Sequence, residues 1–552
     1  MRGTDFRSRR DFCKRATAGL CWLSNPWAHN VAWSWAAAQQ PAAKSSQQSA
    51  WDPEPFVDWF EVWPGAMAYE KDGRAWVSEA PQGVRLSVQH PEKSPPVLVA
   101  DQPWEWEVGT YGNLLFEDGR YRMWYGVRGK AGQQGSLCYA ESKDGLQWHK
   151  PRLGLHDRDG SKANNVVYPK VIEGSVFHDP SAPDAERYKL ISMEGSARYQ
   201  GRVIRSPEIE QVVKELEKKG ISPADIYGKE LRLLGEVVGA VSPDGLRWTR
   251  VPEPLFNKFC DTQNVVVYDE GLKKYVGYWR TGYGGRRSIA RSETDDFRRW
   301  PQPTVVLHPD AQDSPSDDYY TNAYCRYPYG KIHLMFPAIY RRTHDLVDIQ
   351  LAVSRDGLNW TWPERQAIVP LGGEGSGETG SLYANPGLFP LGDNKWGLLY
   401  WSSDERHNES YYYPEDPNVR PGGKFRWAIW KRDRLVALEA KSKGQVTLNK
   451  RWCQGTRMLL NYQTARNGSI RAELIEPTLW PPAHVEPVKG FSFADCEPLR
   501  GDNLAGEVRW QGSADLSRFK GRTVCIRFEL NQAKLFSLTG FSAFDRDKSP
   551  GV

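Results

Sequence analysis

The sequence lacks the motifs of several large protein classes. Its 8 cysteines include no C-x-x-C pair, which excludes the usual ligand spacing of zinc and iron–sulfur sites. It has neither a Gly-Lys-Ser/Thr phosphate loop nor a Gly-x-Ser-x-Gly turn around a nucleophilic serine. Asn25, Pro26, His29 and Asn30 interrupt the N-terminal apolar stretch before it reaches the roughly 20 residues of a membrane span. We therefore expect no nucleotide site, no serine nucleophile of that kind and no membrane anchor.

Positive charge is scarce outside the N-terminus. The 552 residues carry a formal net charge of +5. Residues 1–38 account for +4 of it, because they hold six Arg or Lys against Asp5 and Asp11. The rest of the chain is nearly neutral, so it has no electrostatic footprint of a nucleic-acid-binding protein.

Residues 1–38 have the features of an export signal. Ser8-Arg9-Arg10-Asp11-Phe12-Cys13-Lys14 precedes a weakly apolar run and Ala36-Ala37-Ala38. The pattern resembles a twin-arginine signal peptide with an A-x-A cleavage site. We expect a periplasmic or extracellular protein, with residues 39–54 as a polar linker.

Six cysteines follow this signal, and they are widely spaced. An oxidising compartment permits a bridge from Cys453 to Cys496 or Cys525, but the spacing favours single buried thiols. The six are Cys138, Cys260, Cys325, Cys453, Cys496 and Cys525.

Tryptophan is abundant, and part of it belongs to a repeat. The 24 Trp indicate either a β-rich core or a cleft that stacks sugars. Residues 142–148, Ser-Lys-Asp-Gly-Leu-Gln-Trp, have close copies at 242–248 and 354–360 and a looser one at 292–300. In such a phrase Asp accepts backbone N–H groups, Gly takes a positive φ, and Leu and Trp fill the gap between neighbouring sheets. A repeat of this period predicts an array of small sheets.

The runs between the phrases predict an all-β fold. Five sets of three apolar or alternating runs predict a five-bladed β-propeller over residues 55–440, which a strand around Val84–Val88 closes by joining the last blade. Residues 441–552 predict a small β-sandwich, either structural or carbohydrate-binding. The innermost runs are Tyr111–Phe116, Gly174–His178, Asn264–Tyr268, Ala323–Tyr327 and Tyr383–Phe389.

Blade two carries a predicted insertion. Ile209, Val212, Val213 and Leu216 recur at helical spacing, and Gly220 ends the run. We predict a surface helix between the second and third strands of this blade, either rimming the cleft or passive.

Acidic side chains stand near the innermost runs of all five blades. Because the first strand of each blade lines the tunnel of a propeller, we predict a ring of carboxylates there. Crowded carboxylates push their pKa values apart and so supply both an acid and a base, as glycoside hydrolysis needs. For each residue alone, the alternative is the capping of a turn. The residues are Glu105 and Glu107, Asp179, Asp261, Asp317 and Asp318, and Glu374 and Glu378.

The blades, the Asp-Gly-Leu-x-Trp phrases, the Asp-Pro of blade two and the C-terminal β-sandwich resemble the superfamily of glycoside hydrolase families 32, 43 and 68. The resemblance spans residues 55–552 and implies hydrolysis of a poly- or oligosaccharide, furanosides included. That superfamily uses an Asp on blade one, an Asp within Arg-Asp-Pro on blade two and a Glu on blade three. Asp179 matches the second position, with His178 in place of Arg. Glu107 and Asp261 stand at the other two, so neither matches the superfamily's residue type.

The predicted roles follow from this resemblance. Asp179 stabilises the transition state, Asp261 or Glu378 donates the proton, Glu107 is nucleophile or base, and Asp318 raises a neighbour's pKa. No cofactor is required, and a Ca²⁺ at His178 and Asp179 stays an open alternative. The predicted substrate-binding residues are His178, Asn264, Asn322, Tyr111, Tyr320, Tyr383 and Trp401.

Two other functions stay open. An exported propeller could bind a glycan or a protein without cleaving it. Tunnel carboxylates that are all paired with Arg or Lys would favour this function or a purely structural role. A sialidase-like enzyme would need an arginine cluster, for which Arg280, Arg326 and Arg341 are available.

Overall fold

The computed structural model describes residues 52–69, 72–129, 135–171, 173–205, 208–222, 225–329, 331–392, 394–409, 422–476 and 486–543. The predicted signal peptide and most of the predicted linker lie outside these residues. In the part of the chain that is described, no helix is both long and apolar enough to cross a membrane.

The chain enters the fold through short strands and then forms blade one. Blade one is an antiparallel sheet in chain order from its inner to its outer strand. The entering strands are β1 (Glu54–Pro55), β2 (Ala66–Tyr69), β3 (Ala75–Ser78), β4 (Arg85–Val88) and β5 (Glu92–Lys93), and blade one comprises β6 (Glu107–Glu117), β7 (Arg120–Arg128), β8 (Ser136–Ser142) and β9 (Val166–Pro169).

Blade two contains the predicted insertion. Its sheet is β10 (Ser175–His178), β11 (Tyr188–Glu194), β15 (Glu236–Ser242) and β16 (Thr249–Arg250), with a short 3-10 helix at Asp184–Glu186. Between β11 and β15 lie β12 (Ser196–Tyr199), β13 (Arg202–Arg205), α1 (Glu208–Lys218), a π-helix (Ile226–Glu230) and β14 (Arg232–Leu233).

The insertion has a small core of its own. Val212 and Leu216 of α1 are buried together with Ala197 and Ile204 of its three-stranded sheet. Gly220 follows the helix with φ +77°, a conformation that glycine adopts without steric cost. The predicted helix and its end are confirmed.

Blades three and four are again four-stranded. Blade three is β17 (Val265–Asp269), β18 (Lys274–Tyr283), β19 (Arg286–Thr294) and β20 (Thr304–Leu307). Blade four is β22 (Cys325–Arg326), β23 (His333–Met335), β26 (Ala352–Ser354) and β27 (Trp360–Thr361), and it is interleaved in sequence with β21 (Asp317–Tyr319), β24 (Ala338–Arg341) and β25 (Leu346–Ile349).

The fifth set of strands belongs to a larger sheet. It comprises β28 (Ser381–Ala384), β30 (Lys395–Ser403), β31 (Lys424–Lys431) and β5, with β29 (Phe389–Pro390) beside β30. A bridge from Val347 to Ser381 joins it to β21, β24 and β25 in one eight-stranded sheet. The propeller-like array thus has four separate four-stranded sheets, where the sequence predicts five separate blades.

The prediction that Val84–Val88 closes the ring is wrong. β5 pairs with β31, and Leu98 bridges to Phe425. β4 instead pairs with a C-terminal strand, because Leu86 and Val88 are buried in the core that the C-terminal strands share with blade four and the fifth set. The strand that closes the ring is therefore β5, a few residues further along the chain than predicted.

The C-terminal strands form one eight-stranded sheet together with β1 and β4. Register shifts interrupt the pairing of the longest strands, which lets them bend around a core. The strands are β32 (Val436–Thr447), β33 (Arg451–Cys453), β34 (Leu459–Ile475), β35 (Asp502–Glu507), β36 (Thr523–Thr539) and β37 (Phe541–Ala543), with a 3-10 helix at Ser517–Phe519.

The repeated phrase makes the tight turn that its sequence predicts. Ser142 Oγ accepts the N–H of Gly145 at 2.9 Å, and Asp144 Oδ1 accepts those of Leu146 and Gln147 at 2.8 Å each. Gly145 has φ +75°, the positive value that was predicted for the glycine of the phrase. The copies at 242–248 and 354–360 repeat these bonds.

Each close copy also ties its blade to the preceding one. The Gly145 carbonyl accepts the indole N–H of Trp427 on β31 at 2.7 Å. Trp124 of blade one donates to Gly245 of blade two at 2.6 Å. The glycine of the turn thus also accepts a hydrogen bond from the neighbouring blade. The six cysteines after the predicted signal are free, as the spacing favours.

Candidate functional site

Side-chain amides cross-link the inner strands and cross the tunnel. Gln263 donates to the carbonyl of Ala384 at 2.9 Å and accepts the N–H of Ala323 at 2.8 Å, so it links blade three to blade four and to the fifth set. Asn385 accepts the N–H of Gly112 at 2.6 Å. We call the end of the array at which the inner strands β6, β10, β17 and β28 begin the mouth.

Two predicted substrate-binding residues belong to this scaffold. Asn264 donates to the carbonyls of Cys260 and Thr262 at 2.9 and 3.0 Å. Asn322 accepts the N–H of Tyr324 at 3.1 Å. Both are buried and shape the entries to β17 and β22.

Three of the predicted substrate-binding tyrosines form an aromatic cluster at the mouth, in which Tyr111 and Tyr383 are buried and Tyr320 is half-buried. The ring centroids of Tyr111 and Tyr383 lie 5.9 Å apart, as do those of Tyr320 and Tyr383. Tyr383 also shares a hydrogen bond of 2.6 Å with His407 Nδ1. Trp401 packs 5.8 Å from Tyr383 and donates its indole N–H to Val108. Trp401 is buried to the same degree as Tyr111 and Tyr383.

Glu173 is the carboxyl group that stands out at this mouth. It precedes β10, and it makes no hydrogen bond or ion pair with any residue that the structure describes. Burial raises its pKa to about 7, against the opposing charges of Arg128 and Arg280. Tyr111 and Tyr320 interact electrostatically with it. A carboxyl group that is half protonated near neutral pH is suited to donate or accept a proton.

Two predicted carboxylates flank Glu173 through the same arginines. Glu107 is buried and lies 3.3 Å from Arg128 Nη1. Asp261 is ion-paired with Arg280 and keeps 37% of its side chain exposed. The mouth therefore alternates acid and base around its rim: Glu107, Arg128, Glu173, Arg280 and Asp261.

Two further predicted carboxylates are fully engaged by cations. Asp318 is buried and accepts bonds of 2.8 Å from both Arg287 and Arg342, and these bonds outweigh burial and lower its pKa. Glu378 is buried, lies 2.5 Å from Lys93 Nζ, and is 3.3 Å from Arg426 Nε. A carboxylate clamped in this way is a poor proton donor.

His178 and Asp179 lie at the far end of β10, away from Glu173. Asp179 accepts hydrogen bonds from Ser181 Oγ and the Tyr275 hydroxyl at 2.6 Å each. Lys189 Nζ lies 3.4 Å from it. The structure thus does not bring Asp179 together with the mouth carboxylates. His178 faces Glu117 at 3.6 Å.

The arginines available for a sialidase-like cluster are dispersed. Arg326 pairs with Asp269 at 3.0 Å, at the far end of β17. Arg341 pairs with Asp348 on β25 at 2.8 Å, whereas Arg280 is at the mouth. Among the described residues, no group of three or more His, Cys, Asp or Glu gathers to hold a metal ion.

Sequence reasoning missed Glu173 although a signal for it exists. In blades one and three the candidate carboxylates, Glu107 and Asp261, stand ahead of the predicted inner runs. In blade two the Asp-Pro motif draws attention to the residues after the strand. Glu173 also stands ahead of an inner run, directly before Gly174.

The fold and the site define an all-β, propeller-like protein with a polar, tyrosine-lined mouth. No protein-family model matches the chain, and no curated protein matches its sequence.

Solved structures of propeller-fold glycoside hydrolases are similar to it. One is a Bombyx mori GH32 beta-fructofuranosidase: 9% identity, 80% of this chain and 93% of the other covered, TM-score 0.37. Another is the catalytic domain of a Coprinopsis cinerea GH62 alpha-L-arabinofuranosidase: 11% identity, 62% and 96% covered, TM-score 0.37. A likeness at this level carries no argument about activity.

Proposed function

We propose that this chain is an exported glycoside hydrolase that acts on a poly- or oligosaccharide at the mouth around Glu173. The observation that carries the proposal is this one carboxyl group, with a pKa raised to about 7 by burial, beside Tyr111 and Tyr320. Export by the twin-arginine route is proposed from residues 1–38, and a propeller over residues 55–440 followed by a β-sandwich from residue 441 is the proposed domain division.

Glu173 would act as the general acid. In its protonated form it gives its proton to the glycosidic oxygen as the bond to the leaving sugar breaks. The half-buried ring of Tyr320 would hold the sugar ring by stacking. Arg128 and Arg280 would then stabilise the glutamate anion that is left behind.

Asp261 is the best partner for the second role. Its ion pair with Arg280 and its exposed carboxylate suit a base that activates water, or a nucleophile that attacks the anomeric carbon. Glu107 is the alternative, but it is buried. In this scheme Asp179, Asp318 and Glu378 hold the scaffold and do not touch the substrate.

A second function has its own observation. All five predicted catalytic carboxylates lie within 4 Å of an Arg or Lys nitrogen, which favours a propeller that binds a glycan without cleaving it. Glu173 separates the two functions, because it has no such partner among the described residues and only hydrolysis requires it.

The test is a screen of polysaccharides and aryl glycosides, neutral and acidic, with the full-length protein and with Glu173→Gln. We expect one glycan class to be cleaved by the wild type and at least 100-fold more slowly by the variant. Glycans bound but not cleaved by the wild type would favour the binding function. Equal cleavage by the variant would remove Glu173 from the chemistry.

A further inference from the structure

A second cavity opens beside the mouth, and its wall is basic. Its volume is about 590 Å³, and its cations are Lys258, Arg280, Arg286, Arg287 and Arg342. No Asp or Glu lines it among the residues that the structure describes. The cavity is thus a local exception to the nearly neutral charge of the chain.

The positive charge in this wall is only partly compensated. Arg280 pairs with Asp261, and Arg287 and Arg342 share Asp318. The Asp317 carboxylate, which pairs with Arg341, also interacts electrostatically with Arg286, so the five cations face three carboxylates. Glu173, beyond Arg280, is mostly protonated below pH 7 because burial raises its pKa to about 7.

Two cations in the wall have no ion pair with any described residue. The Lys258 ammonium donates a hydrogen bond to the hydroxyl of Thr281, at 3.1 Å. Arg286 donates to the backbone carbonyls of Ser314 and Asp317 at 2.6 and 2.7 Å. Cations held in place by neutral groups keep their charge available for an anionic ligand.

The cavity also offers an apolar face and shares a wall with the mouth. Phe259 lines it and is 43% exposed, which is unusual for a phenylalanine and suits the C–H face of a sugar. Arg287 lies 4.8 Å from the ring centroid of Tyr320 and 5.5 Å from that of Tyr340. Tyr320 at the mouth therefore also borders the basic wall.

We infer that the substrate is an acidic glycan, and that this cavity holds a carboxylate or sulfate group of a sugar adjacent to the one at Glu173. The inference rests on the proposed function for its site but has its own readout. Arginine and lysine bind carboxylate and sulfate oxygens by charge-assisted hydrogen bonds, and Phe259 selects a sugar over a free anion.

The experiment measures affinity and not turnover, with Glu173→Gln as the parent protein. Isothermal titration uses oligogalacturonate and its carboxyl-reduced form, and sulfated galactan oligosaccharides and their desulfated form. We expect at least one acidic probe to bind tenfold or more tightly than its neutral counterpart. The arm that binds distinguishes carboxylate from sulfate.

Two double variants locate the effect. Lys258→Met with Arg286→Met should weaken acidic-probe binding at least tenfold and leave the neutral probe unchanged. Arg466→Met with Lys520→Met removes the same charge from exposed positions in the C-terminal strands and their loops, and it should change neither.

Several results would overturn the inference. They are equal affinity for the acidic and neutral forms, equal losses in the two double variants, binding of free sulfate or of an oligonucleotide as tightly as the acidic probe, or no binding at all. Wild-type cleavage that survives Glu173→Gln would instead contradict the proposed function and leave the binding result standing.

Discussion

Two acidic residues bracket the same short strand and have opposite environments. Glu173 precedes β10 at the mouth, where burial raises its pKa and no described residue bonds to it. Asp179 follows β10. Burial works against its charge too, but Ser181, Tyr275 and Lys189 outweigh it and lower its pKa. Glu173 is therefore available to a ligand, whereas the hydrogen-bonding capacity of Asp179 is taken by residues of the fold.

This contrast shows that a sequence motif and a site are different things. His178-Asp179-Pro180 has the form of a catalytic motif, yet its aspartate is satisfied by neighbours that arrive from β11 and β18. Glu173 belongs to no motif. Polar partners supplied by other strands decide which of the two can react.

The largest expected effect is on catalysis. Glu173→Gln removes the proposed acid but keeps its shape, so kcat/KM should fall about 10²–10⁴-fold while Tm stays the same or rises. Asp179→Asn should keep kcat in the folded fraction. The measurement is hydrolysis of whichever glycan the screen identifies.

The control for this pair is Glu270→Gln, which changes an exposed carboxylate beyond β17. It should change neither kcat/KM nor Tm. A loss of kcat in Asp179→Asn as large as that in Glu173→Gln would reverse the contrast.

The next effect is on stability. Asp179→Asn leaves the buried Lys189 with Glu186, at 3.6 Å, as its remaining anionic partner. It also breaks bonds from Ser181 and Tyr275, so unfolding should become easier by about 1–3 kcal/mol. Urea unfolding checks this value. Asp184→Asn changes an exposed carboxylate in the same loop and should stay within about 0.5 kcal/mol of the wild type. Equal values for the two variants would mean that Asp179 is not structural.

The contributions of Glu173 and Asp179, at the two ends of β10, to the free energy of unfolding should depend on pH with opposite sign. The folded state holds the proton of Glu173 more tightly than the unfolded chain does. Its contribution is therefore present below pH 4.5 and lost as the pH rises through about 7, on the order of 2 kcal/mol. Asp179 contributes above pH 3.8, and that contribution is lost as the pH falls.

Urea unfolding from pH 3 to 8 checks both signs. The wild type should lose stability relative to Glu173→Gln between pH 4.5 and 7, and relative to Asp179→Asn as the pH falls toward 3. If the free energy of unfolding varied with pH in the same way for all three proteins, the proposed pKa shifts of Glu173 and Asp179 would both be contradicted.

The smallest effect comes from a matched pair of hydroxyl deletions. Tyr275→Phe removes the bond of 2.6 Å to Asp179 and should cost about 1 kcal/mol of stability. The Tyr111 hydroxyl has no hydrogen-bond partner among the described residues, so Tyr111→Phe should leave stability unchanged and weaken glycan binding. Chemical unfolding and titration calorimetry of both variants test this, and the opposite assignment would show that the mouth is part of the scaffold.

The sequence by itself determined the units of the fold. The bonds of the Ser-x-Asp-Gly-Leu-x-Trp turn close within a few residues, and alternating apolar positions define the strands, so both can be recognised without knowing the fold. The same holds for α1, whose buried residues recur at helical spacing.

Only the tertiary structure decided how the units meet and which side chains can react. β4 and β5 are short strands that follow one another in the sequence. β4 joins the C-terminal sheet, whereas β5 closes the ring. The partners that neutralise Asp318 and Glu378 come from distant strands, as do the tyrosines around Glu173. Charge and burial are sums over all neighbours in space, and for these residues most neighbours lie far away in the chain.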